Sequence, residues 1–257
     1  MNGNHRFSTT ILMFLVAALV FATACNREES DNRSVTTTTN SGTTTALPAS
    51  EAARRDNALV RVLNANNNIG TLDVYADDAK QFSAIAYKAT TPYRELAGKS
   101  TEFKVRVAGM DSSPAIADES EGLDDGRDYT VIVVPGDDNR RSDIQVLEDD
   151  MKIPADGKAR VRVVHAVREG DDFDIYATGK NDEVFEDVNF QEEDGYDDVD
   201  PYNGNLEVRP EGKSNALLTI QNARFEANKA YTLVIIGAIN DGKPEMEAVI
   251  VEDKIGN

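Results

Sequence analysis

From residue 58 onward, apolar and polar positions alternate with a period close to two. Val60, Val62 and Asn64 fall on one side of an extended chain, and Leu59, Arg61 and Leu63 fall on the other. Residues 58–65, 72–76, 82–87, 93–96, 102–108, 129–134 and 144–148 each read as a strand. They are short, rich in Val, Ile, Tyr or Phe, and bounded by Gly, Pro, Asn or Asp. Turn signals separate them at 97–98 (AG), 135–139 (PGDDN) and 240–242 (NDG). No stretch carries a convincing amphipathic helical pattern.

The same series then returns. Residues 58–65 (ALVRVLNA) and 72–76 (LDVYA) come back as 159–166 (ARVRVVHA) and 173–177 (FDIYA), 101 positions on. Tyr93 recurs as Tyr196, and 129–134 (YTVIVV) as 231–236 (YTLVII), with the spacing growing by single residues. Loops that lengthen while strands stay in register produce such drift. A repeat of this length is a whole domain. The expected fold is therefore all-β, two tandem immunoglobulin-like antiparallel β-sandwich domains over 58–150 and 151–257, with a barrel as the alternative. The link at 150–158, with Pro154 and Gly157, is short, which suggests domains standing end to end.

Three patterns recur: V-R-V-x-H-A, then D-x-Y, then G-x-x-Y-T-hydrophobic. They stand at 161–166, 173–176 and, without the glycine, 229–233 in the second copy, and at 60–65, 72–75 and 126–130 in the first. In this the chain resembles family 4397 of the domains of unknown function, found singly or in tandem in secreted and lipid-anchored bacterial proteins. The resemblance covers roughly 58–252 and implies a β fold outside the cytoplasm, with no established reaction. Copy one departs from the pattern at Asn64, where copy two has His165, which argues against a histidine-dependent activity common to both.

Ahead of the repeats, residues 11–21 (ILMFLVAALVF) form an apolar run too short for a spanning helix, which needs about 20 residues. The run reads as the core of a signal peptide over 1–24. Cys25, the only cysteine, follows a small-residue site at 22–24 (ATA). It resembles the acylated first residue of a bacterial lipoprotein, although Ala22 stands where Leu, Val or Ile is usual. Two or more acyl chains would anchor the protein stably. With Asn26 rather than Asp next, the expected address is the outer membrane if the host is Gram-negative. Residues 25–57, rich in Thr and Ser, read as the lipidated cysteine and a disordered tether spanning on the order of 30 Å.

Charge changes the list of partners. With 27 Lys+Arg against 46 Asp+Glu, the formal net charge is −19, which argues against nucleic acid as a ligand. The densest acidic run, 186–200, includes Glu193, Asp194, Asp197, Asp198 and Asp200. It supplies enough carboxylates for calcium, although the spacing is not that of an EF-hand. The same run also reads as a solvated loop of mutually repelling charges. Asp73 with Tyr75, and Asp174 with Tyr176, place a carboxylate and a phenol on one face of a strand. They are candidates for a shared binding surface, or for structural hydrogen bonding.

His165 has no nucleophile or ligand spacing around it and reads as a structural contact. A carboxylate-dependent hydrolase needs only two acids, but a chain without tryptophan supplies a sugar cleft poorly. The expectation is a non-enzymatic, lipid-anchored envelope protein that uses no cofactor and binds an envelope protein or glycan. A calcium-binding module is the alternative.

Overall fold

The computed structural model describes residues 56–136, 142–150, 152–168, 170–179, 183–189, 195–240 and 243–253. Among these, every regular element is a strand. The first half contains β1 (Asn57–Asn64), β2 (Leu72–Ala76), β3 (Ala79–Ile85), β4 (Arg94–Ala97), β5 (Ser100–Val107), β6 (Ala117–Gly122), β7 (Asp128–Pro135) and β8 (Ser142–Asp149). The second half repeats them as β9 (Ala159–Arg168), β10 (Phe173–Ala177), β11 (Glu183–Val188), β12 (Asp197–Val199), β13 (Tyr202–Pro210), β14 (Leu218–Phe225), β15 (Ala230–Asn240) and β16 (Lys243–Asp253).

Each half is a sandwich of two four-stranded sheets. In the first, β4-β1-β7-β8 faces β3-β2-β5-β6; in the second, β12-β9-β15-β16 faces β11-β10-β13-β14. The sheets are not purely antiparallel, as the alternation suggested. β1 runs parallel to β7, from Leu59 opposite Asp128 to Asn64 opposite Val133, and β9 runs parallel to β15. The opening strand of each copy thus crosses to the far sheet and pairs with a strand formed some seventy residues later.

Each sandwich has its own core. Val60, Val62, Leu72, Val74, Phe103, Val105, Val131 and Val133 fill the first; Val161, Val163, Phe173, Ile175, Leu206, Val208, Leu233 and Ile235 fill the second. A tyrosine pins the crossing from outer to inner sheet in both. The Asp124 amide donates to the Tyr129 hydroxyl at 3.0 Å, and the Glu226 amide to that of Tyr231 at 3.1 Å. Greek-key sandwiches use such a tyrosine corner. The turn before it needs a left-handed residue, supplied by Gly126 (φ 78°) in one copy and Asn228 (φ 62°) in the other. Glycine and asparagine are the residues that enter this region most readily, so the copies differ there without altering the turn.

The end-to-end arrangement suggested by the short link is not what forms. A third apolar cluster joins the halves, made of Leu63, Ala65, Ile132, Val134 and Leu147 with Val164, Ala166, Val234 and Ile236. These residues sit on the faces of β1, β7, β8, β9 and β15 opposite to the sandwich cores, with Ala65 just past the end of β1. The two inner sheets therefore pack against each other, giving four stacked layers within the compact unit formed by residues 46–257. β7 (DYTVIVVP) is buried at every position because both of its faces are covered. That is the near-continuous apolar run expected of a doubly covered strand.

Candidate functional site

The recurring residues are the natural place to look for a site, and the structure assigns each a set of partners. The arginines of V-R-V come first. Arg61 and Arg162 project from the inner sheets into the seam between the halves, where they are 4% and 0% exposed. Arg162 pairs with Asp149 of the other half, and Arg61 pairs with Asp253. The arrangement is reciprocal. Arg61 Nε donates to Thr130 Oγ1 at 2.8 Å, and Arg162 Nε donates to Thr232 Oγ1 at 2.8 Å. Each threonine hydroxyl in turn donates to the aspartate of its own half, again at 2.8 Å. The Tyr93 hydroxyl donates to Asp149 at 2.6 Å and that of Tyr196 to Asp253 at 2.9 Å. The guanidiniums lie over the same rings, 4.9 Å from the Tyr93 centroid and 4.7 Å from that of Tyr196.

Burial alone pulls the Arg61 guanidinium downward, but Asp253 and Asp149 outweigh it, so the group holds its proton more tightly than a free arginine. Burial and then the charge of Asp149 push the Tyr93 hydroxyl far above the ordinary phenol range. The arginines, threonines and aspartates of the network are buried, and their polar atoms face one another.

The D-x-Y pairs lie elsewhere, on the outward faces of the two outer sheets, since Leu72, Val74 and Ala76 take the inward side of β2. Asp73 and Asp174 are thus separated by both inner sheets, and the structure does not gather them into one surface. Each aspartate instead holds a bulge and a turn. Asp73 accepts from the amides of Ala84 (2.8 Å) and Gly109 (3.2 Å); Asp174 accepts from those of Asp187 (3.3 Å) and Gly212 (3.2 Å). Ala84 and Asp187 are non-glycine residues in the left-handed region, at φ 54° and 51°, where β3 and β11 shift register. The carboxylate compensates that strain. Burial works against ionisation of Asp73, but the two amides and Lys80 hold its carboxyl below the usual range.

The tyrosines complete two chemically different patches. The Tyr75 hydroxyl donates to Asp111 at 2.9 Å, and Lys80 bridges Asp73 and Asp111. Where copy one has Lys80, copy two has Glu183, which accepts from the Tyr176 hydroxyl. A hydrogen bond with Glu183, and its charge, raise the carboxyl of Glu186. Arg106 covers Tyr75 at 5.2 Å and Arg209 covers Tyr176 at 4.1 Å.

His165 is fully buried and stacked on Phe173, with ring centroids 3.9 Å apart. Its Nδ1 accepts from the Val167 amide at 3.1 Å, and Nε2 lies 3.1 Å from the Asp171 carbonyl, so the proton sits on Nε2. Asn64 reproduces this bonding. Its Oδ1 accepts from the Asn66 amide at 3.0 Å, and its Nδ2 donates to the Gly70 carbonyl at 2.6 Å. An acceptor two residues on and a donor six residues on are what the position requires, and both side chains supply them. Burial lowers the affinity of His165 for a second proton, although Asp171 and Asp172 oppose that. The unfolded chain therefore takes up the proton first, and stability falls as pH drops below about 6.5. The expected contribution is up to about 1.4 kcal/mol per pH unit. Urea unfolding between pH 7 and 5 checks this: His165→Asn should flatten the slope, and an unchanged slope would place its origin in other groups.

Of the calcium candidates, Glu193 and Asp194 lie outside the described residues, as does Cys25. Asp198 accepts from the Ala155 amide at 3.1 Å and stands 3.7 Å from Arg160, while Asp200 pairs with Lys158 at 2.7 Å. Asp197 and Asp198 are neighbours on β12 and point to opposite faces. No group of three or more His, Cys, Asp or Glu side chains fit to hold a metal occurs among the described residues. A cleft of about 290 Å³ between β9 and β11 carries Glu186 and Asp197 beside Phe185 and Val188. Among the described residues, no helix is long and apolar enough to cross a membrane.

Fold and recurring residues together define a tandem β-sandwich protein whose repeated side chains bind one half of the molecule to the other. The family model described as "Domain of unknown function (DUF4397)" matches residues 58–176 and again 161–257. The chain belongs to that family. No curated protein matches it. Among solved structures, the C-terminal domain of AlgF from P. aeruginosa is similar at 21% identity and a TM-score of 0.29, over 38% of this chain and 99% of that one.

Proposed function

We propose that this protein is a non-enzymatic, lipid-anchored component of the cell envelope. Acylated at Cys25 and carried on the 25–57 tether, it presents a rigid block of four sheets to an envelope protein or glycan. The observation that carries this reading is where the recurring residues point. The arginines, the aspartates of β2, β8, β10 and β16, and the position shared by His165 and Asn64 all hold the architecture. A pattern spent on architecture specifies a scaffold, and the variable positions are left for recognition. The two outer faces differ accordingly, with Lys80, Lys104 and Arg106 on the first and Glu183, Glu207 and Arg209 on the second.

The anchor is tested by intact mass of the mature chain purified from membranes. The expected result is an N-terminal Cys25 carrying acyl mass, with Cys25→Ser releasing the protein into the soluble fraction. A mature chain with an unmodified amino end would overturn the anchor. Affinity capture from detergent-solubilised envelopes, with the outer faces varied separately, tests the presenting role.

A further inference from the structure

The seam between the halves has the pattern of a contact between identical molecules. The first half gives Leu63, Ala65, Ile132, Val134 and Leu147 to it. The second gives Val164, Ala166, Val234 and Ile236, with Val251 packed alongside, and these are the equivalent positions in the repeat. The buried ion pairs and the hydrogen bonds around them are doubled in the same way, and at the exposed edge Tyr87 and Lys88 add contacts to Glu247. Arg61 reaches Asp253 and Arg162 reaches Asp149; Arg61 Nη1 donates to the Glu252 carbonyl at 3.4 Å, and Arg162 Nη1 to that of Glu148 at 3.1 Å. Position i meets j of the other half, and j meets i, which defines an isologous, self-complementary surface.

We infer that this surface fits a second copy of the chain, so that the first sandwich of one molecule seats on the second sandwich of another and the reverse, giving an exchanged two-chain form. Every contact across the seam is kept in that form, and no new surface is required. Exchange of an identical element between protomers is a low-cost route to dimers because only the link changes course. An inner face carries one buried arginine and one buried aspartate, and seating first half on second half, as in the single chain, brings each to its opposite. An acyl anchor is not needed for the exchange.

Two full-length variants test the inference. One inverts the first half (Arg61→Asp with Asp149→Arg); the other inverts the second (Arg162→Asp with Asp253→Arg). Alone, each sets like charges against one another across the seam. Refolded together from urea, first halves match second halves only by exchange between the two variants, and a homodimer of either variant alone, seated like half on like half, would overturn this pairing. The expected result is a one-to-one heterodimer by native mass spectrometry, with a melting temperature above that of either variant alone. A mixture that keeps the masses and melting of its separate components would overturn the inference.

The chain with all four substitutions is the control for tolerance of inversion, and it should fold as a monomer. If it does not fold, the unmodified chain decides the matter. Isotope-labelled and unlabelled protein refolded together at rising concentration should give dimers of mixed mass, which Arg61→Asp abolishes. Monomers alone up to millimolar concentration would sink the exchanged form.

Discussion

Replacing Arg162 by alanine is expected to cost about 3–5 kcal/mol of folding stability, the range for breaking a buried ion pair from one side. Asp149 would keep donors from Thr130 and Tyr93, but of its cations only Arg61 would remain, at 4.0 Å. Neither hydroxyl neutralises a carboxylate with 1% of its side chain exposed. For a domain whose total stability is of order 5–15 kcal/mol, such a loss is severe. Removing both charges, as Arg162→Met with Asp149→Leu, should recover much of it, because the desolvation cost of the pair then disappears as well. Urea unfolding of the full chain measures both variants. A loss below about 1 kcal/mol for Arg162→Ala would mean that the pair is effectively solvated, as exposed pairs are. Because the arginine of one half closes on the aspartate of the other, the damage should appear as a shift of one shared transition.

Gly237→Ala should be comparably damaging for a different reason. Gly237 lies in β15 at φ 134°, opposite Met246 on one side and Val167 on the other. A Cβ there would stand 2.1 Å from the Glu245 carbonyl oxygen and 2.9 Å from the Met246 Cα. Both atoms are backbone, so the β15–β16 ladder itself must open. Overpacking of about 1–3 kcal/mol and backbone strain of about 1–3 kcal/mol add to roughly 2–6 kcal/mol. Gly70→Ala is the matched comparison. Its φ is 81° with nothing within 4 Å of an added Cβ, so only the conformational part of the loss applies. Thermal unfolding separates the two, and equal shifts in melting temperature would show that contact with Glu245 is not what counts.

The duplication was legible because paired strands tolerate little slippage: a one-residue shift turns every side chain to the wrong face. β6 was not legible. Its residues (ADESEG) are half-exposed or exposed and mostly charged, as suits an edge strand that must not pair with strangers, and no apolar alternation marks it. Parts of the acidic 186–200 region likewise read as loop, yet they belong to β11 and β12.

The seam was missed for a related reason. In V-R-V an arginine between valines reads as the solvent side of a half-buried strand. The signal against that reading was present in residues 131–134 (VIVV) and 233–236 (LVII), which leave no polar face at all. A strand apolar on both sides must be covered on both sides, and an arginine on its neighbour is then buried too. The D-x-Y pattern was visible, but its service to a bulge was not. The left-handed turn it clamps falls on Ala84 and Asp187, and alanine gives no hint of such a conformation.

The reciprocal seam also sets an order of assembly. Arg61, in β1, is completed by Asp253, the last residue of β16. A growing polypeptide can close the first sandwich upon itself once β8 is made, but it then holds a greasy sheet facing outward and a guanidinium with only Asp149, at 4.0 Å, to answer it. Only when β16 is released can that sheet be covered and the charge fully answered. The nascent molecule is therefore most exposed to misassociation in the interval between completion of β8 and completion of β16.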